Sequence, residues 1–365
     1  MQETNVKIWA GVVALSLALI IPAAASPALT VFHDFVGGND GDDPNSLIQA
    51  SDGNFYGTTY LGVGTVFQVT PAGQFTTVFI LPPQNKNRFF CGDFFTSVVE
   101  GPDGFLYVIA RGSNNNPNPM VFRISKSGSH FQVVLQEAPY SLSVASDGNF
   151  YGSDANGIFR LTTSGTYTLL SSVSSNGFTV ESLNKQAADG NFYGTCYSSW
   201  YHVCRVTTSG QVTAIYEFAT GTNGRIPANG ILTQGSNGLL YGVVAGGPGD
   251  TAFQVVYQLS TSGSYEEIYQ FGGCTPKTGC GRVIQASDGN LWVTNPPAYS
   301  VYSITTSGTL LQTVSFASQG NGAANPNILL QAPSGILFGT TGEPNPAFGN
   351  KGSVFSLNAG LPPPK

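Results

Sequence analysis

The stretch Ala50-Ser51-Asp52-Gly53-Asn54-Phe55-Tyr56-Gly57 decides the fold, because close variants of it return six more times along the chain. An Asp, Asn or Ser stands at the turn of each copy, and successive turn residues lie 42 to 51 residues apart. These turn residues are Asp52, Asp103, Asp147, Asp189, Asn237, Asp288 and Ser334. A repeat of this period is typical of propellers and solenoids, in which each repeat is one structural unit.

Each repeat contains four short runs rich in Val, Ile, Phe, Tyr and Thr, the residue types that favour strands. In the first repeat the phrase is followed by Gly64–Thr70, a second turn at Ala72-Gly73, and the run Phe75–Phe79. Both glycine turns are expected to be type I′ hairpins, in which two central residues have positive φ. Seven units of four antiparallel strands, with almost no helix, predict an all-β seven-bladed β-propeller. A solenoid would need capping repeats at both ends.

The two ends of the chain predict how the ring closes. The seventh repeat ends after its third strand, Gly352–Leu357. The run Leu29–Phe35 resembles the outer strands of other repeats, such as Thr213–Phe218. The N-terminal strand is therefore expected to complete the last blade and to remove its unpaired edge. The side chains expected to become buried, to different degrees, are Val31, Phe32 and Phe35.

The composition indicates one domain and excludes one class of partner. Seven repeats nearly use up the 365 residues, so residues 26–360 are interpreted as a single propeller and residues 361–365 as a proline-rich tail. Only 9% of the residues are charged and the net charge is −6, as expected when most blade faces are buried. No Lys/Arg cluster is present to neutralise phosphates, so nucleic acid is not an expected partner. The protein is expected to be a monomer.

The first 25 residues have the pattern of a secretory signal peptide. Lys7 precedes the apolar run Ile8–Ile21, and small residues follow it, with the simplest cleavage site after Ala25. A retained membrane anchor is the alternative, but the run is short of the roughly 20 residues that span a bilayer. The mature protein is therefore expected to have no transmembrane segment and to be extracellular, with the periplasm or cell surface also open.

Export permits disulfide bonds, and the chain has five cysteines. Cys196 and Cys204 flank the loop between the second and third strands of blade four, and Cys204 occupies a position that is aromatic in other repeats. Cys274 and Cys280 lie in one short loop. These two pairs are predicted to be disulfides, which leaves Cys91 as a free thiol or a site for intermolecular pairing. No CxxC spacing supports metal binding by these residues.

The run Ser51–Thr59 followed by Gly64–Gly73 closely resembles the GloVer tandem repeat of secreted bacterial proteins, often called choice-of-anchor proteins. The resemblance covers about residues 29–360 and implies a propeller outside the cell or on its surface. Such proteins usually carry a C-terminal sorting segment, whereas only the proline-rich tail follows Leu361 here. The resemblance implies a fold and a compartment, and no particular reaction.

One face of the predicted ring is the expected binding surface. The loops that join strands two to three and four to one collect on this face and differ between repeats, whereas the glycine hairpins on the opposite face are nearly identical. Unconstrained loops would vary as well. Aromatic residues outside the repeated phrase could stack on sugars or anchor a protein, although most propeller aromatics pack between blades. These candidates are Trp200, Tyr201, Tyr299, Phe94 and Phe95.

The densest acidic cluster follows the first strand. Asp40, Asp42 and Asp43 lie with Asn39 in a glycine-containing loop, and oxygen ligands of this kind suit Ca²⁺. A solvated Asp/Asn-rich turn is the commoner interpretation, because six or more ligands are not evident. Calcium is the one cofactor that the sequence suggests.

Catalytic residues are not evident. His33, His130 and His202 fall at separate positions, and only His202 could approach the variable face. Ser287–Val293 resembles the blades of streptogramin lyase propellers. This resemblance implies a lyase activity that needs a histidine base and magnesium, but no central histidine is present. The sequence therefore favours a non-catalytic scaffold that binds an extracellular glycan or protein. The alternative is an extracellular lyase or hydrolase.

Overall fold

The computed structural model describes residues 27–61, 64–80, 94–111, 119–218, 226–227, 230–245, 253–272, 281–317, 325–342 and 351–364. Across these residues the strands form seven antiparallel sheets. The first strands of neighbouring sheets contact each other around the axis, as β2 contacts β6, while the later strands of each sheet lie progressively outward. The protein is a seven-bladed β-propeller, as the repeats predict.

Each blade contains four consecutive strands, apart from a split first strand in blade five and the strand that closes blade seven. Blade one has β2 (Asp42–Gln49), β3 (Phe55–Leu61), β4 (Thr65–Val69) and β5 (Phe75–Ile80); blade two has β6 (Phe94–Glu100), β7 (Leu106–Arg111), β8 (Met120–Ile124) and β9 (Gln132–Leu135). Blade three has β10 (Ser141–Val144), β11 (Phe150–Ser153), β12 (Gly157–Leu161) and β13 (Tyr167–Ser172); blade four has β14 (Thr179–Val180), β15 (Phe192–Tyr197), β16 (Tyr201–Val206) and β17 (Val212–Phe218). Blade five has β18 (Ile226–Pro227), β19 (Thr233–Gln234), β20 (Leu240–Ala245), β21 (Phe253–Leu259) and β22 (Tyr265–Gly272). Blade six has β23 (Val283–Gln285), β24 (Leu291–Asn295), β25 (Ser300–Ile304) and β26 (Leu310–Ser315); blade seven has β27 (Pro326–Gln331), β28 (Leu337–Thr341), β29 (Ser353–Asn358) and β1 (Ala28–Asp34).

Helix is nearly absent from the described residues, as expected. The one α-helix, α1 (Val173–Asn176), is a single turn between blades three and four. Two short 3₁₀ segments, Gly38–Asp40 and Pro296–Ala298, lie in loops.

The repeated turns are not type I′. In the first copy Gly53 donates its N–H to the Ala50 carbonyl, the Ala50 N–H bonds to the Asn54 carbonyl, and only Gly53 has positive φ, at 83°. This is the pattern of a three-residue loop that ends in a left-handed glycine. The second turn, at Gly73, follows the same pattern. The type I′ prediction was wrong because only the glycine, not the residue before it, adopts the left-handed conformation.

The aspartate of the phrase organises the hairpin that follows it. Asp52 accepts hydrogen bonds from the Asn54 N–H at 3.1 Å and from the Tyr56 hydroxyl at 2.9 Å. Burial and the bond to Asp52 raise the pKa of Tyr56 to about 12, so the phenol remains a donor at neutral pH. The same Asp–Tyr bond recurs in blades two, three and four. The phrase therefore encodes a buried, hydrogen-bonded tyrosine as well as a turn.

The ring closes through the N-terminal strand, which confirms the prediction. β1 pairs antiparallel with β29, for example Leu29 with Leu357, and a bulge follows Val31. Phe35, just after the strand, is fully buried, while Val31 and Phe32 are partly buried. The Phe35 N–H donates to the Gly352 carbonyl at 2.9 Å, so pairing continues beyond the strand.

A repeated glutamine links neighbouring blades on the face that carries the Asp-Gly turns. Gln186, at the end of the first-strand segment of blade four, accepts a hydrogen bond from the Ser146 N–H of blade three at 2.8 Å. Its amide nitrogen donates to the Gly190 carbonyl of its own turn at 2.7 Å. We call this arrangement the glutamine latch. Gln234, Gln285 and Gln331 repeat it.

The latch differs in blades two and three. In blade two, Glu100 takes the glutamine position and accepts from the Ser51 N–H at 2.7 Å. Blade three has Val144 there, and the turn that it faces in blade two has Pro102 at the donor position. Proline has no N–H, so a glutamine would find no donor at that junction.

The proline-rich tail begins against the ring. Leu361 packs partly buried on the core shared by blades six and seven. The Pro362 carbonyl accepts hydrogen bonds from Ser287 of blade six and from Gln331 of blade seven. These contacts place the first tail residues across the junction between the two blades.

Candidate functional site

The loop between the second and third strands of blade four is held by paired strands and a disulfide. Tyr197 and Tyr201 pair at the ends of β15 and β16, leaving a turn at residues 198–200. Cys196 and Cys204 form a disulfide with Cα atoms 5.9 Å apart, as predicted, and both residues are fully buried. The bond joins the two strands below the turn, so the side chains on the turn are carried by a cross-linked hairpin.

Exposed aromatic rings lie in this turn and beside it. Trp200 is 44% exposed and Tyr197 is 42% exposed, and the Tyr197 ring meets the ring of partly buried Tyr201 at 5.2 Å. The protein atoms around Glu181 raise the pKa of its carboxyl, although the residue is exposed. Burial, the charge of Glu181 and Tyr197 together raise the pKa of Tyr201. The surface therefore places the Tyr201 ring near a carboxylate, and we call Glu181, Tyr197, Trp200 and Tyr201 the blade-four surface.

The same face of the ring carries other exposed aromatic residues. Tyr60, Tyr140 and Tyr299 are 37–39% exposed and lie at loops of the type that joins strands two to three or four to one. In the described residues the large apolar side chains exposed toward the opposite end of the blades are Phe131, Leu310 and Leu311, while exposed Leu169 lies within an outer strand. Exposed tyrosine and tryptophan are thus segregated onto the variable face.

Tyr299 has an unusual backbone. It follows the short Pro296–Ala298 segment with φ at 50°, a left-handed conformation that bulky residues rarely adopt. Its carbonyl accepts a hydrogen bond from the Phe316 N–H at 2.7 Å. Strain of this kind persists only where surrounding contacts impose it, and it often occurs at binding sites.

Phe94 and Phe95, the other aromatic candidates, begin β6 opposite Arg111 and Ala110. Their side chains lie outside the described part of the structure. The prediction that they contribute to binding therefore stays a prediction.

Sequence reasoning missed a polar arrangement under the same turn. The His202 Nε2 atom lies 3.0 Å from the Ser198 hydroxyl, and its Nδ1 atom lies 3.9 Å from a carboxylate oxygen of Glu217. His202 is 5% exposed and meets the Phe178 ring edge-on at 5.3 Å. The only sequence signal was the pairing of β16 with β17, which sets His202 directly opposite Glu217.

The acidic cluster has basic side chains as neighbours. Asp40 accepts a hydrogen bond from the Val36 N–H at 3.1 Å and lies 3.2 Å from His33, while buried Asp42 pairs with Lys351. One oxygen of each carboxylate, Oδ1, is buried and has no hydrogen-bond partner. In the part of the chain that the structure describes, no group of three or more His, Cys, Asp or Glu side chains is placed to hold a metal. Calcium binding by Asp40, Asp42 and Asp43 stays a prediction.

Three predictions fall on residues outside the described ranges. These are the signal peptide at residues 1–25, the disulfide between Cys274 and Cys280, and the free thiol of Cys91. Within the described ranges, no helix has the length and apolar character needed to cross a membrane.

The repeats identify the family. A family model described as the Gloeobacter/Verrucomicrobia repeat matches residues 96–297, more than half of the 365-residue chain. The chain belongs to this repeat family. Comparison with the curated proteins finds no match for this Gloeobacter/Verrucomicrobia repeat propeller.

Several solved propellers share the fold. Virginiamycin B lyase from Staphylococcus aureus has a TM-score of 0.62 at 16% identity, covering 91% of this chain and 99% of the lyase. A catalytically inactive form of that lyase with quinupristin gives 0.62 at 17% identity over the same shares. YCF48 bound to the D1 peptide gives 0.58 at 12% identity, covering 90% of this chain and 96% of YCF48. At these identities the likeness of the repeat propeller to solved structures shows the fold alone.

Proposed function

We propose that this repeat propeller is a secreted scaffold that binds an extracellular glycan through its variable face. The observation that carries the proposal is the blade-four surface, where the exposed rings of Trp200 and Tyr197 lie on one turn with Tyr201, and Tyr201 lies near the charge of Glu181. Sugar rings present C–H faces that pack on aromatic rings, and their hydroxyls donate to carboxylates. A protein ligand anchored on the same aromatics is the alternative partner.

The rigidity of the hairpin supports a binding role. Because the Cys196–Cys204 disulfide and the paired strands already hold the turn, little conformational entropy would be lost when a ligand contacts it. Tyr60, Tyr140 and Tyr299 extend the aromatic surface to blades one, three and six. A ligand with several sugar units could contact more than one of these rings.

The experiment is a glycan panel probed with the exported protein. Trp200→Ala should weaken binding of a retained glycan about tenfold, since loss of one stacking contact costs on the order of 1–2 kcal/mol. Leu310→Ala is the matched control, because Leu310 is 42% exposed on the opposite end of the blades. Retention of no glycan by the wild-type protein, or equal affinities of the two variants, would contradict the proposal. Capture of a purified protein ligand that Trp200→Ala weakens would favour the alternative.

A further inference from the structure

We propose that Ser198, His202 and Glu217 form a hydrolytic site for carboxylic esters on blade four. The arrangement combines a hydroxyl nucleophile, an imidazole base and a carboxylate that orients the base, which are the roles needed for acyl transfer. The inference rests on these three residues and does not depend on the ligand proposed for the neighbouring aromatic rings.

The hydroxyl and the imidazole are already within hydrogen-bond reach. Ser198 Oγ lies 3.0 Å from His202 Nε2, inside the range expected between a nucleophile and its base. Ser198 begins the turn and His202 lies in the strand that follows it, and the two strands are joined by the disulfide. Their relative position is therefore fixed by the hairpin rather than by a long flexible loop.

The carboxylate faces the other ring nitrogen. β16 and β17 pair His202 with Glu217, and Glu217 Oε2 lies 3.9 Å from His202 Nδ1. The Glu217 side chain is 52% exposed, so a rotation within its own side chain can shorten this distance. Nδ1 is buried without a hydrogen-bond partner, and a buried polar atom of this kind gains free energy when an acceptor reaches it. A bond to Glu217 would hold the proton on Nδ1 and leave Nε2 as the base toward Ser198.

Exposure differs between the three groups as catalysis requires. Ser198 is exposed on the turn, where a substrate can reach it, whereas His202 is only 5% exposed beneath it. The ring of Phe178 lies edge-on against His202 and limits its rotation. The exposed rings of Tyr197 and Trp200 beside Ser198 offer an apolar surface for the acyl or alcohol part of an ester.

The reaction balances with water as the second substrate. The Ser198 oxygen attacks the ester carbonyl while its proton passes to His202 Nε2. The bond between the carbonyl carbon and the alkoxy oxygen of the ester then breaks, and the alcohol leaves with the proton from His202. Water next gives a proton to Nε2 and attacks the acyl-serine, and return of that proton to Ser198 releases the carboxylic acid and restores the site.

The experiment uses the full exported chain with p-nitrophenyl acetate as substrate and a fluorophosphonate as a serine-reactive probe. We expect hydrolysis above the buffer rate and a covalent adduct on the peptide that contains Ser198. Ser198→Ala should abolish the adduct and lower the hydrolysis rate at least 100-fold. Ser199→Ala, at the next exposed serine, should leave the adduct and the rate unchanged. Because Ser198 is exposed, its substitution does not threaten folding.

Glu217→Gln tests the positioning role. If Glu217 fixes the tautomer of His202, the variant should lower kcat with little change in KM and should alter the pH–rate profile, while its melting temperature stays that of the wild type. The proposal is overturned if the wild-type protein neither hydrolyses the ester nor takes up the probe at Ser198. It is equally overturned if Ser198→Ala retains the wild-type rate.

Discussion

Replacing Phe35 with alanine tests ring closure at a single side chain. Phe35 follows β1 and is fully buried at the junction between blades seven and one. Its ring centre lies 5.3 Å from that of Phe67 and 5.5 Å from that of Phe75, both in blade one. It shares a core cluster with Phe338 and Val354 of blade seven. The side chain therefore joins the strand that closes the ring to the first blade.

The expected loss of stability follows from this burial. Truncation of a buried phenylalanine to alanine costs about 3–5 kcal/mol, because apolar contacts are lost and a cavity remains. With an unfolding entropy of about 2 cal/mol/K per residue over about 330 residues, this corresponds to a drop in Tm of about 4–7 °C. Val36→Ala is the matched control, since Val36 is 74% exposed, and it should change stability by no more than about 0.5 kcal/mol.

Thermal unfolding followed by far-UV circular dichroism, with the two variants measured side by side, checks this prediction. Deletion of residues 28–36 extends the test, because it would leave β29 as an open edge that can pair with other molecules. The deleted protein should be insoluble or should melt well below Phe35→Ala. If Phe35→Ala melts within a degree of Val36→Ala, the N-terminal strand does not hold the ring closed.

Three further predictions concern the latch, the disulfide and the acidic loop. Gln285→Ala should lower the unfolding free energy by about 1–3 kcal/mol in a urea titration, because it removes hydrogen bonds on both sides of a blade junction. Gln49→Ala should lower it by less, since the turn that Gln49 faces has a proline at the donor position and only the bond to Gly53 is lost. Equal losses in the two variants would contradict the latch. Cys204→Ala should lower the unfolding free energy by roughly 2–3 kcal/mol, and a reductant should destabilise the wild type more than this variant. Millimolar CaCl₂ should raise the Tm of the wild type by a few degrees and that of Asp40→Asn by less; a wild-type Tm that calcium leaves unchanged would contradict calcium binding.

The architecture was predictable because the same pattern of strands and turns occurs in all seven repeats. Strand-forming runs and glycine turns indicated the blades, the absence of a fourth strand after residues 352–357 indicated a closed ring, and the pairing of β1 with β29 confirms the closure. The type of turn was not predictable from the Asp-Gly pair alone. A type I′ turn and a three-residue loop both need a left-handed glycine, and they differ in whether the preceding aspartate is also left-handed. In the structure Asp52 keeps negative φ and its side chain bonds to Asn54 and Tyr56.

The glutamine latch lay beyond the sequence pattern for a different reason. A polar residue at the end of a strand is unremarkable, and the partner of Gln186 is the main-chain amide of Ser146, 40 residues earlier. Backbone donors have no sequence signature, so the latch becomes visible only when neighbouring blades are placed side by side. Where Val144 faces Pro102, no N–H is available to an acceptor, because proline has none.

In the described residues blade four departs from the repeat at several points around one turn, and these departures argue for a site there. A disulfide replaces the aromatic residue at Cys204, and α1 precedes the blade. The first strand bulges where the amides of Glu181 and Ser182 both point to the Thr195 carbonyl. The helical turn and the bulge are not part of the repeated blade, and proteins retain local conflicts with their own pattern mainly where function requires them. These irregularities surround the turn that carries the exposed rings and the Ser198–His202 pair, so blade four is where binding and chemistry should be sought first.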